Sequence, residues 1–80
     1  MSRNLQLIWD FKGPSSARTA EHHLVHLKEY AEANQIHCLA SGTEKVNENH
    51  HIAYLALPEE QMVPVRDALR PHRGRLWTID

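Results

Sequence analysis

A single cysteine, Cys38, rules out an internal disulfide, and a lone thiol is the ordinary state of a protein in a reducing compartment. Charge of one sign is missing as well: 9 Lys and Arg stand against 10 Asp and Glu, so the molecule as a whole projects no field toward phosphate or an anionic membrane. No segment approaches the roughly 18 consecutive apolar residues of a membrane span. Met1-Ser2-Arg3-Asn4 leads directly into an alternating run, without the apolar stretch of a secretory leader. These absences point to a cytoplasmic protein without a membrane segment and turn the reading away from nucleic acid. Length is limited too. The 80 residues leave room for one core, so 1–80 read as a single domain. A chain of this size buries only about 60–65% of the surface its unfolded form exposes. With disulfides excluded, a metal ion or a second subunit is the available source of extra stability.

What is present is alternation broken by turn residues. Leu5, Leu7, Trp9 and Phe11 alternate with Gln6, Ile8 and Asp10, the period of a half-buried strand. Gly13-Pro14 ends that run, and Ser15 or Ser16 is placed to cap a helix. Residues 17–33 contain no Gly or Pro, and Ala20, Leu24, Leu27 and Ala31 recur at helical spacing, which predicts a helix with those four toward the core. Asn34-Gln35 stops it. Ile36, Cys38 and Ala40 alternate up to Gly42, predicting a second strand in which Cys38 is a buried, inert thiol. Residues 43–49 are polar and read as a hairpin loop before a third strand over 51–57. Pro58-Glu59-Glu60 suits a helix start, and Met62, Val65 and Leu69 supply an apolar stripe. Pro64 argues for a start near itself and Pro71 for a stop before it. Gly74 closes the connection, and residues 76–79 read as a last short strand.

The resulting β-α-β-β-α-β order resembles the ferredoxin-like plait, an α+β fold with a four-stranded antiparallel sheet and both helices on one face. The resemblance rests on element order over nearly the whole chain. Because this plait hosts many unrelated functions, it implies no active site.

Helices on one face leave the other uncovered. If Leu5, Leu7, Trp9 and Phe11 point toward the helices, then Gln6, Ile8 and Asp10 lie on the open face, and Ile52, Tyr54 and Ala56 do the same on the third strand. Either Trp77 and Ile79 or Leu76 and Thr78 join them. An uncovered apolar patch marks a partner surface, and two sheets stacked face to face would form a dimeric α/β barrel with a cavity between subunits. The expectation is a self-associating, homodimeric binding or regulatory module. Scattered exposed apolar residues are the bland alternative.

Seven histidines are an excess for this length. On a helical wheel His22 and His26 share a side, opposite Leu24 and Leu27, with Glu29 one turn on. An i, i+4 histidine pair can share a Zn²⁺, Ni²⁺ or Cu²⁺ ion, which makes His22, His26 and Glu29 the candidate metal ligands. The segment lacks the glutamate that follows the first histidine in the HExxH motif, so no protease is implied. Two histidines on an exposed helix face are more often solvated side chains. His23 borders the apolar stripe and reads as packed against the sheet with one nitrogen bonded. His50 and His51 start the third strand on opposite faces, and His37 is placed on the open face with Tyr54.

For catalysis the candidates are His37, His51, Tyr54 and Asp10, a set suited to proton transfer in a cleft beside the sheet or in a dimer cavity. No nucleophile, carboxylate pair or phosphate loop accompanies them at a diagnostic spacing. RNA recognition by a plait uses aromatics of the central strands, but Trp9 and Phe11 fall on the core face and no glycine-aromatic signature surrounds Tyr54. Arg66, Arg70, Arg73 and Arg75 form a local basic cluster that could meet a phosphate or an acidic partner, although such a run is more often a solvated helix face.

Overall fold

The computed structural model describes residues 3–77, and Thr78 and Ile79, expected in the last strand, lie outside them. The architecture is α+β. Strands β1 (Asn4–Lys12), β2 (Ala40–Asn47), β3 (His50–Pro58) and β4 (Arg73–Leu76) form a sheet of order β2-β3-β1-β4 in which every neighbouring pair is antiparallel. Helix α1 (Ser16–Ala33) follows β1. A short 3-10 turn, Glu59–Gln61, leads from β3 into helix α2 (Met62–Leu69). Ala20 and Leu27 of α1 and Val65 of α2 pack into one buried cluster with Leu7, Trp9, Ala53, Leu55 and Leu57. Both helices therefore cover the same sheet face, the one to which the odd-numbered residues of β1 and β3 point. Leu24, expected among the four core residues of α1, is only half-buried.

Helix α1 begins differently from the side-chain cap that its serines suggest. Ser15 occupies the cap position without a side-chain hydrogen bond. Ser16 is the first helical residue, buried, with its hydroxyl 2.7 Å from His51 Nδ1. The hydroxyl therefore ties the helix to β3 and is not left to satisfy a free amide of its own first turn. At the other end the Ile36 amide donates to the Ala31 carbonyl and the Gln35 amide to Glu32, a Schellman closure with Gln35 in the left-handed region at φ 55°.

Two strands differ from the sequence reading, both because they lie at sheet edges. The expected strand over 36–42 starts only at Ala40 and runs through the polar segment to Asn47. Strand β2 has one neighbour and little to bury, so its side chains need not be apolar; Glu44 and Lys45 on such a strand also discourage pairing with other chains. The hairpin shrinks to Glu48-Asn49, where the Asn49 amide donates to Asn47 Oδ1, and a register irregularity falls between Lys45 and Asn47. Likewise β4 begins at Arg73, with Gly74 inside it, because the backbone ladder to β1 does not depend on the side chains Arg73 and Arg75 carry. Cys38 falls in the connection before β2 and is exposed, which corrects the expectation of a buried thiol.

Pro64 is compatible with α2 because it is the third helical residue, where its missing N–H has no intrahelical acceptor to lose. The Trp9 indole donates to the Leu69 carbonyl at 2.8 Å, fastening the end of α2 to β1. None of the helices is long and apolar enough to cross a membrane among the described residues.

Candidate functional site

The sheet face away from the helices is assembled from alternate residues of four strands. Across it the register aligns Asp10 with Ile52 and Glu44, Ile8 with Tyr54, Gly42 and Arg73, and Gln6 with Ala56, Ala40 and Arg75. The aliphatic groups expected to lie bare here do not. Ile8 is 1% exposed, Ile52 3% and Ala56 0% within the single chain. Trp77 follows β4, its amide donating to the Asn4 carbonyl, and its ring stacks on Tyr54 at a centroid distance of 6.1 Å. Since Tyr54 belongs to β3 and Trp77 follows β4, the indole must pass over intervening β1, above Gln6. On the other side of Tyr54 the phenol lies against Gly42, where a Cβ would come within 3.1 Å of its oxygen. The absence of a side chain at 42 is what lets the tyrosine lie flat toward β2.

The outermost groups on this face are thus aromatic and charged. Gln6 Oε1 accepts from Arg75 Nε at 2.6 Å. Asp10 is the centre of a second group: Arg73 donates to both carboxylate oxygens at 3.1 Å, and His50 Nε2 donates to Oδ1 at 2.7 Å. Asp10 also gives its backbone amide to His72 Nδ1 at 2.7 Å, which leaves the His72 proton on Nε2. Burial pushes the Asp10 carboxyl up, but hydrogen bonds and charge from Arg73 and His50 outweigh it and hold the group below its usual value of 3.8. The side-chain amide nitrogen of Gln6 and the indole nitrogen of Trp77 are buried with no hydrogen-bond partner among the described residues.

No family model, no curated protein and no solved structure matches this chain. Of the residues anticipated for acid-base work, Asp10 and Tyr54 share the uncovered face, with Asp10 one register level from Tyr54. His51 points the other way and is held by Ser16. His37 precedes β2 and is exposed, its amide bonded to Gln61 Oε1, so it does not join Tyr54; the later start of β2 is the reason. His50, Arg73 and His72 complete the Asp10 cluster. Arg73 and His72 carry no sequence signal for this role because they lie in the polar segment after α2, where no apolar alternation marks a strand. The period-two placement of His50 opposite His51 was the available signal.

His22 and His26 are neighbours as their spacing implies, with Nε2 atoms 3.3 Å apart and ring centroids 4.9 Å apart. Glu29 approaches His26 from its other nitrogen, Oε1 lying 3.7 Å from Nδ1, so the three donors do not converge on one point. Among the described residues no group of three or more His, Cys, Asp or Glu is arranged to hold a metal ion. His23 packs between the rings of Trp9 and Phe11, at 5.2 and 5.3 Å. Its Nε2 is buried without a partner among the described residues, where a bonded nitrogen was expected. Burial, then the charges of His26, His72 and His22, pushes its pKa below 6.5.

Proposed function

We propose that this chain is a single ferredoxin-like module of a reducing compartment that works by binding, and that it pairs with a second copy of itself through the uncovered sheet face. The observation that supports this reading is the composition of that face: a half-buried Tyr54–Trp77 stack, with Arg73 and Arg75 along the β4 side and Glu44 on the β2 side. Aromatic and arginine side chains supply most of the energy of protein interfaces. A two-fold axis running along the strands would lay the β2 edge of one copy over the β4 edge of the other, opposing Glu44 to the arginines while the aromatic stacks meet near the axis. Because Ile8, Ile52 and Ala56 are already sheltered within one chain, the pairing would draw on aromatic contact and charge complementarity more than on new aliphatic burial. A reversible dimer follows.

Sedimentation velocity over micromolar to millimolar concentration tests this. The expected result is a concentration-dependent dimer that Glu44→Arg or Arg75→Glu weakens and that the double charge swap restores. A monomer at every concentration, or a dimer indifferent to both single changes, removes the reading.

A catalytic alternative draws on a single observation: His50 donates Nε2–H to the Asp10 carboxylate, the way an acid orients a general base, leaving Nδ1 to act. In a paired sheet such a base would face the cavity between subunits together with Tyr54. Hydrolysis of activated esters that exceeds that of free imidazole and disappears in His50→Ala would support an enzyme. Rates no faster than imidazole count against it.

A further inference from the structure

On the helix side of the sheet, a cavity of about 440 Å³ opens between α2, β1 and the edge strand β4. Two features leave it unfilled. Gly74 faces this side opposite Leu7 and contributes no side chain, and the eight-residue helix α2 buries only Val65. The floor is apolar: Leu5 and Leu7 from β1, Leu76 from β4, and Met62 from α2. Leu76 is a large apolar group that is 55% exposed among the described residues.

Among the described residues, the charged ones that line the cavity are all arginines. Arg73 and Arg75 turn their guanidinium groups to the opposite face, onto Asp10 and Gln6, which leaves Arg3 and Arg66 to act at the rim. Arg3 gives two N–H groups to Glu59, and Arg66 gives one to Asp67. A guanidinium carries five N–H donors, so about three on Arg3 and about four on Arg66 have no acceptor among the described residues. Two arginines with donors to spare beside an apolar hollow match a ligand with one anionic end and one apolar end. The volume falls within the range of roughly 300–1,000 Å³ usual for small-molecule sites.

We propose that this cavity binds an amphiphilic anion, its carboxylate or phosphate head held between Arg3 and Arg66 and its aliphatic or aromatic body laid over Leu5, Leu7, Met62 and Leu76. The site is on the opposite side of the sheet from the self-association face and does not depend on it.

The test is an amide NMR titration of the full chain with decanoate and with decyl phosphate, using decanol as the uncharged control. Saturable shifts at Leu5, Met62, Gly74 and Leu76 with either anion are expected, with decanol weaker by about tenfold or more, the loss of one charge-assisted hydrogen bond. Gly74→Leu should abolish binding by filling the hollow. A Cβ at 74 would lie 3.5 Å from Leu7 Cδ2, an ordinary contact, so the backbone need not move. As a surface change that leaves the fold alone, Arg66→Gln should weaken the anions about tenfold and leave decanol unaffected. The proposal is overturned by an absence of saturable shifts with both anions, by decanol binding as tightly as they do, or by anion affinity that neither variant alters.

Discussion

Trp77 stacks on Tyr54 with ring planes 26° apart although strand β1 lies between the strands to which they attach. The indole thereby lies over the centre of a sheet face that neither helix covers. Replacing Trp77 with Ala should expose Gln6 and Ala56 and cost about 2 kcal/mol, less than a fully buried tryptophan because the ring is only half-buried. Urea unfolding at fixed protein concentration measures it; an unchanged midpoint would mean that the indole contributes no cover.

His23 makes stability depend on acid. Its folded pKa lies below the 6.5 of the free side chain, chiefly because it is buried between Trp9 and Phe11. The unfolded chain therefore takes up a proton that the folded chain resists, and stability falls as pH drops below about 6.5 toward the lower folded value. His23→Leu should flatten this part of the pH profile. Equal slopes for the two proteins would assign the acid sensitivity elsewhere.

Asp10 joins β1 to β3 through His50 and to β4 through Arg73. Asp10→Asn should cost about 1–2 kcal/mol near neutral pH, the scale of hydrogen bonds to a charged group discounted for the half-exposed arginine. The depressed carboxyl stabilises the fold above pH 3.8, and that contribution disappears as pH falls through the lower folded value. Wild type and variant should therefore converge in stability in strong acid. A gap that persists there would point to lost packing.

Gln35 occupies the left-handed position that closes α1, where a side chain is strained. Gln35→Gly keeps the backbone bonds of the Schellman closure and should raise stability by about 0.5–1 kcal/mol. Thermal melts decide it, with an unchanged or lower midpoint as the contrary result.

Cys38 is exposed, its thiol 3.5 Å from the Ala40 carbonyl. A disulfide-exchange reagent should label it in the native protein without denaturant, leaving the circular dichroism spectrum intact. Labelling that requires unfolding would return Cys38 to the core.

The sequence alone determined the elements whose side chains must choose a side. Leu7, Trp9, Leu55 and Leu57 alternate because β1 and β3 are central strands with one face against the helices, and Ala20, Leu27 and Ala31 repeat because α1 lies on that face. The placement of His50 and His51 on opposite faces followed from the same period. Tertiary structure alone decided the edges and the surface. Strands β2 and β4 are held by backbone bonds to a single neighbour, so polar residues such as Glu44 and Arg73 serve as well as apolar ones and leave no pattern to read. The shelter of Ile8 and Ile52, the diversion of Ser16 to His51 and the gathering of His50 and Arg73 about Asp10 join residues 35 to 63 positions apart or cross several strands. No local periodicity encodes such meetings, because they depend on where the sheet register brings distant segments side by side.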